Sequence, residues 1–209
     1  MSVINKLASS LQRRDEAPNI ELANVIAAAK DKNAVKELVD HLSDKSKDIQ
    51  HDCIKVLYEI GAQLPTLIAG YATTFTTLLT SKNNRLQWGA MTALNSITAL
   101  QPDVIHSAIP LLASVAQKGS VITKDQYVAI LIKLAAIEEY TNDALALLNE
   151  ALLESLPNQL PMYAEQALDV INHKYKAGFI KTLQSRLKDI DKESKQKRIE
   201  KVLKKLQSK

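Results

Sequence analysis

The sequence predicts an all-α fold, a right-handed superhelix of about five stacked helical hairpins with a capping helix at each end. Three observations predict it: an apolar pattern that repeats about every 37 residues, apolar side chains spaced three and four residues apart, and only five glycines and six prolines. Apolar residues at those spacings lie on one face of a helix with a 3.6-residue period. Scarce glycine and proline disfavour a fold that needs many tight turns.

The repeat is visible when residues 52–60 are shifted by 37 onto residues 89–97, because the apolar positions then coincide. The same shift carries Pro65 onto Pro102, so the pattern extends through a second helix. One equivalent position can be followed through four units, as Leu57, Leu94, Leu131 and Leu168. A repeat of this length that spans two helices is typical of stacked helical hairpins.

Capping chemistry and apolar spacing place the helices. Asn84 with Gln87, and Thr123 with Gln126, have the spacing of a capping box, and Pro161, like the two prolines above, suits a first helical turn. The predicted pairs are 20–30 with 33–43, 47–61 with 65–80, 84–100 with 102–117, 124–140 with 142–156, and 161–175 with 177–189. A leading helix near 3–12 and a final helix near 193–206 complete the prediction.

The chain resembles the HEAT-repeat family and the related armadillo repeats. The length of the unit, its two antiparallel helices, and the proline that opens the second helix at Pro65 and Pro102 carry this resemblance over about residues 19–190. It implies one solenoid domain over 1–209, with an N-terminal helix and link at 1–18 and a basic C-terminal helix at 191–209. It also implies a binding surface, but no particular substrate.

The sequence offers no pattern for a cofactor or a metal. The four histidines are scattered, the single cysteine has no second cysteine at zinc-ligand spacing, and the glycines are isolated. Cys53 lies on a predicted inward stripe and is expected in the core, whereas Glu138 and Glu139 are expected at the surface. With no secretory signal, the sequence predicts a cytoplasmic protein.

Arg85 and Trp88 form the first candidate interaction site. They lie one turn apart near the start of a predicted helix, and Trp88 is the only tryptophan. The repeat register places His51 and Asp125 at the equivalent position of neighbouring units. A cation beside an aromatic ring can hold a base or a partner side chain. The alternative is that Trp88 packs at the junction of two repeats.

The C-terminal end is the second candidate. Residues 121–175 carry three basic and eight acidic groups, whereas residues 176–209 carry twelve basic and four acidic groups. The last helix has an apolar face and is therefore amphipathic. It could bind the phosphates of nucleic acid, an acidic membrane or an acidic protein. The alternative is that it only caps the repeats. The candidate side chains of this helix are Lys195, Lys197, Arg198, Lys201, Lys204 and Lys205.

The leading hypothesis is a non-enzymatic interaction module. The inner surface, expected to be built by the second helices of successive hairpins, would bind an extended segment of a protein partner. The alternative is a nucleic-acid-binding protein. Alkylation-repair DNA glycosylases with HEAT-like folds are similar in size, repeat number and basic character. That resemblance implies a cleft with Trp, Asp and Arg, for which this chain offers only Trp88 and Arg85.

Overall fold

The computed structural model describes residues 2–208, and all regular secondary structure in that range is helical. Twelve α-helices are present between these residues. They are α1 (Ala17–Ala29), α2 (Lys32–Asp40), α3 (Lys47–Gln63), α4 (Ala72–Leu78), α5 (Asn84–Ile97), α6 (Pro102–Ser107), α7 (Ile109–Lys118), α8 (Val121–Ala135), α9 (Thr141–Glu154), α10 (Leu160–Ala167), α11 (His173–Arg186) and α12 (Glu193–Ser208). The predicted all-α class is confirmed.

The 37-residue repeat is confirmed by the helix starts. Helices α3, α5 and α8 begin at residues 47, 84 and 121. The equivalent side chains Leu57, Leu94 and Leu131 are all fully buried. The fourth copy is less regular, because α10 ends at Ala167 and the equivalent Leu168 is the residue after it.

Packing divides the chain into two compact units, residues 1–127 and residues 128–209. In the first unit, α3 lies between α1 and α5 and contacts both along its length. Gly89 allows the close approach of α5, because a Cβ atom there would lie 2.6 Å from Cγ1 of Ile54. In the second unit, α9 packs against α11, and α12 packs against α10 and α11. The single-domain assignment stays a prediction.

Several predicted boundaries were wrong. The predicted helix 3–12 is a short 3₁₀-helix, Ile4–Lys6, followed by turns. The predicted helix 102–117 is interrupted at Ala108, because Pro110 cannot continue the hydrogen-bonding pattern of α6. Residues 65–71 form two 3₁₀ turns before α4, a segment that contains Gly70 and precedes a threonine-rich helix of low intrinsic propensity.

Neither predicted capping box forms. Helix α5 is capped by Asn83, whose side chain accepts a hydrogen bond from the backbone N–H of Arg85, and Gln87 instead donates to the carbonyl of Leu79. Thr123 lies inside α8 and donates to the carbonyl of Ser120. Pro65, Pro102 and Pro161 do lie in the first turns of helical segments, as predicted.

Candidate functional site

An ionic cluster joins α1, α3 and α5 in the first unit. Glu16, at the N-terminus of α1, contacts Lys55 of α3 at 2.9 Å and also pairs with Arg85 of α5. Lys55 contacts Glu59 at 2.7 Å. Burial disfavours the charge of Lys55, but hydrogen bonds to Glu59 and Glu16 outweigh it and raise the pKa of this ammonium above its usual range. Lys55 is therefore a fixed positive charge beneath the surface.

An aromatic pair adjoins this cluster. The ring centroids of Tyr58 and Trp88 are 5.7 Å apart, and the two rings are tilted by 50°. The guanidinium of Arg85 lies 5.9 Å from the centre of the Trp88 ring, and the ammonium of Lys55 lies 5.0 Å from the centre of the Tyr58 ring. Both rings are half-buried. Each is thus supported by a cation and a second ring while part of its surface stays open to a partner.

Arg85 and Trp88 border two different concave regions. Arg85 lines a polar cleft of about 420 Å³ together with His51, Asp48 and residues 12–16. Trp88 lines a groove of about 330 Å³. The apolar part of that groove comes from Leu79, Leu111 and Val115. The two predicted residues are therefore brought together, and the structure sets them between a charged cleft and a partly apolar groove.

Amide side chains connect successive hairpins of the first unit. Gln63 of α3 donates to Asn24 of α1 at 2.9 Å, and Asn95 of α5 donates to Gln126 of α8 at 2.6 Å. Together with the ionic cluster, these pairs place polar groups on the first helix of each hairpin. The sequence predicts a binding surface on the second helices, and that stays a prediction. Tyr58 and the predicted Arg85 and Trp88 lie on first helices.

His51, Trp88 and Asp125 share a register position but differ in their surroundings. The Nε2 atom of His51 lies 3.1 Å from the side-chain oxygen of Asn83, which is also the cap of α5. Trp88 instead packs against Tyr58, and Asp125 is half-buried near the start of α8. His51 and Trp88, at equivalent register positions, therefore have different partners.

The residues before α1 are fastened to the first hairpins by a buried polar network that the sequence did not reveal. The fully buried amide of Asn19 accepts from the backbone N–H of Ala8 at 2.9 Å and donates to Asp52 at 2.7 Å. Asp52 also accepts from the backbone N–H of Ser9 at 2.7 Å. The only signal in the sequence is an amide and a carboxylate at otherwise apolar helix positions. They are 33 residues apart, so no local spacing indicates that they form a hydrogen bond.

The predicted basic helix is α12, and its apolar face is buried. The buried side chains are Ile199, Val202, Leu203 and Leu206. Arg198 forms two hydrogen bonds with Glu165, at 2.8 and 2.6 Å, and these bonds hold the pKa of that carboxyl below its usual range. Lys195 donates to Asn158 at 2.6 Å, and Lys197 pairs with Glu193 at 2.6 Å. The remaining candidates Lys201, Lys204 and Lys205 are exposed.

The other residues singled out in the sequence lie outside these surfaces. Cys53 is fully buried, as predicted, and burial raises the pKa of its thiol to about 12. Glu138 and Glu139 are exposed, also as predicted. Within residues 2–208, no group of three or more His, Cys, Asp or Glu side chains has a metal-binding arrangement. Across the same residues, no helix has the length and apolar character to cross a membrane.

Comparisons with known proteins give the fold. No family model matches the chain, and no curated protein matches it. Among solved structures, a designed armadillo repeat protein in complex with the peptide (KR)4 is 17% identical, with a TM-score of 0.69 over 89% of this chain and 86% of its own. A computationally designed armadillo repeat protein for modular peptide recognition is 20% identical, with a TM-score of 0.69 over 97% and 98%.

A natural protein gives the same result. An archaeal HEAT-like repeat protein from Thermococcus onnurineus NA1 is 15% identical, with a TM-score of 0.52 over 93% of this chain and 97% of its own. At these identities the likeness concerns the fold, and it agrees with the repeat length and helix order described above. The chain has an all-α helical repeat fold of the HEAT and armadillo type.

Proposed function

We propose that this chain is a protein-interaction module that binds an extended segment of a partner protein along the first helices of its first unit. The observation that carries the proposal is the half-buried pair of Tyr58 and Trp88, with Lys55 close to the Tyr58 ring and Arg85 close to the Trp88 ring. Rigid aromatic side chains with a fixed cation beside them are typical of residues that dominate interface affinity.

The surroundings of this pair suit a peptide better than a small molecule. The groove beside Trp88 can receive an apolar side chain, and the polar cleft beside Arg85 offers both charges. The exposed amides of Asn24 and Gln63 supply further donors and acceptors. Amide groups can serve both the N–H and the C=O of an extended backbone. Two of the similar solved structures are peptide-binding armadillo designs, which supports this assignment.

The alternative role of Arg85 and Trp88 in nucleic-acid repair has weaker support. Arg85 already pairs with Glu16, and its guanidinium is held beside an aromatic ring. A guanidinium neutralised by a carboxylate attracts phosphate less strongly than a free one.

The single tryptophan allows a local test. Peptides selected from a random library against the full chain are titrated while the emission of Trp88 is followed, so the signal reports binding at this site alone. We expect a shifted emission and an affinity that Tyr58→Ala lowers about tenfold, the loss of one aromatic contact. Tyr71→Ala removes a half-buried ring elsewhere in the same unit and is the matched control.

Salt separates the two functions. Binding of a weakly charged peptide should change little between about 50 and 200 mM salt, whereas phosphate binding falls steeply over that range. Selected peptides that leave the Trp88 emission unchanged and bind Tyr58→Ala as tightly as the unaltered chain would overturn the proposal.

A further inference from the structure

The docking of α12 determines which of its side chains reach solvent. All four apolar residues of the helix, Ile199, Val202, Leu203 and Leu206, are buried, and the helix packs against α10 and α11. An amphipathic helix enters a lipid surface with its apolar face. Because that face is already covered, α12 presents only its polar face, and insertion into a bilayer would require it to leave its place.

The exposed polar face carries a row of lysines. Lys197, Lys201, Lys204 and Lys205 lie four, three and one residues apart, within about 100° of arc and along about 12 Å of helix axis. Lys197 pairs with Glu193, and Glu200 flanks the row, but Lys201, Lys204 and Lys205 are exposed. The surrounding segment, residues 176–209, has twelve basic and four acidic groups, so these lysines lie in a strongly positive field.

The composition of this face favours phosphate over protein as its partner. Between residues 193 and 208 no apolar side chain is exposed, whereas protein interfaces have an apolar centre and are depleted in lysine. Interfaces with nucleic acid are more polar and much more positively charged. Lysine ammonium groups are compact charges on flexible side chains, so each can bind a phosphate in many positions. A row of phosphates therefore does not have to align exactly with the row of lysines.

We propose that the exposed lysine face of α12 binds the phosphate backbone of nucleic acid without reading its sequence. Base recognition relies on aromatic stacking or on a free arginine fork. The one arginine of α12, Arg198, donates from Nε and Nη2 to the two carboxylate oxygens of Glu165, and the helix has no aromatic residue. This site is independent of the peptide surface on the first unit.

The test compares two matched triple variants of the full chain. Lys201→Gln, Lys204→Gln and Lys205→Gln remove three charges from the face, and Lys32→Gln, Lys45→Gln and Lys47→Gln remove three exposed lysines from the first unit. Binding of a labelled duplex of about 20 base pairs is measured by fluorescence anisotropy between about 50 and 200 mM salt. Circular dichroism checks that both variants keep their helix content.

We expect the α12 variant to lose about tenfold or more in affinity at low salt and the slope of log affinity against log salt to fall by about three, one per lost phosphate contact. The control variant should keep its slope. Replacing the same three α12 lysines by arginine should keep the binding, since the charges remain.

Two further probes distinguish other polyanions. Duplexes of unrelated sequence should bind alike, while poly-glutamate and vesicles rich in anionic lipid should bind more weakly at matched charge. Equal binding of poly-glutamate or of the vesicles, equal losses in both triple variants, or no duplex binding at low salt would each overturn the proposal.

Discussion

At the scale of single residues, the most consequential finding is how Asn19 and Asp52 hold the residues before α1. Their hydrogen bonds satisfy the backbone N–H groups of Ala8 and Ser9, and both side chains are buried. A buried donor that loses its partner costs more than the bond itself contributes, because it has also lost water. This network therefore makes the segment before α1 part of the fold.

Asn19→Ala should lower the free energy of unfolding by about 2 kcal/mol, because it leaves the N–H of Ala8 and one oxygen of Asp52 unpaired. Asn24→Ala on the same helix removes an exposed amide that bonds only to Gln63 and should cost less than about 0.5 kcal/mol. Urea denaturation of both variants measures the difference. Equal losses would show that the buried network is not a special source of stability.

Cys53 gives a pH-dependent prediction. The pKa of its thiol is about 12 in the folded chain against an ordinary value of 9.0, so the folded state keeps its proton where the unfolded state releases it. The stabilisation of the folded state that follows from this raised pKa is complete below pH 9 and is lost as the pH rises toward 12. We compare the free energy of unfolding of the unaltered chain with that of Cys53→Ala. Between neutral pH and about pH 10, this difference should shift by about 1 kcal/mol against the unaltered chain.

Urea denaturation at both pH values measures this loss, and Ala is the natural residue at the equivalent position, Ala90. An unchanged difference between the two chains would mean that the thiol meets water in the folded state.

What the sequence could predict about residues follows from the range of the interaction. Burial of Cys53 and exposure of Glu138 depend on helical periodicity, which is local, and both predictions are confirmed. The pairing of Arg85 with Glu16 joins residues 69 positions apart, and no local pattern specifies it. The proximity of Arg85 and Trp88 could be predicted because the two residues are one helical turn apart. The contact of Trp88 with Tyr58 could not, because Tyr58 comes from another repeat.

At the scale of helices, the cap of α5 shows what spacing alone misses. The sequence has two adjacent asparagines, and the capping-box spacing favoured Asn84, but Asn83 is the residue that caps the helix. Asn83 also donates a hydrogen bond to the side chain of Gln50 and accepts one from the Nε2 of His51, and both residues lie on α3. These tertiary contacts favour Asn83 over Asn84 as the cap. Helix existence was predictable from periodicity, but the exact start depended on a neighbouring repeat.

Replacing the two asparagines separately tests this assignment. Asn83→Ala should cost about 1 to 2 kcal/mol, because it removes the cap and two inter-helix hydrogen bonds. Asn84→Ala places alanine at an exposed first-turn position and should change stability by less than about 0.5 kcal/mol. Thermal unfolding of both variants decides between them, and a larger loss in Asn84→Ala would restore the capping box.

Across the whole molecule, stability should follow how completely each helix is enclosed. Helix α3 contacts α1 and α5 and buries eight of its residues, whereas the short α4 buries only Ala72 and Phe75. Local opening is least frequent where buried contacts are most numerous. The repeat length and the stacking of hairpins were predictable because they persist over several units. The division into two compact units was not, because its boundary at residues 127 and 128 falls inside α8, where the repeat pattern continues without a break.

Hydrogen exchange measured by mass spectrometry tests this ranking. Amides of α3 should be the most slowly exchanging in the first unit, and those of α4 and residues 65–71 should exchange orders of magnitude faster. The amides of residues 8–9, bound by the buried network, should be slower than those of α4. Rapid exchange at α3 would mean that its enclosure does not limit opening.

The equal interval between the starts of α3, α5 and α8 makes residues 84–120 an exchangeable cassette. A second copy inserted after residue 120 would return every apolar position to the same register, so its first helix would meet a face like the one α5 already meets. Each insertion would also add one more copy of Trp88 and of Asn95 to the surface formed by the first helices. The reach of the surface toward a longer partner segment can therefore grow in whole steps, without redesign of the core.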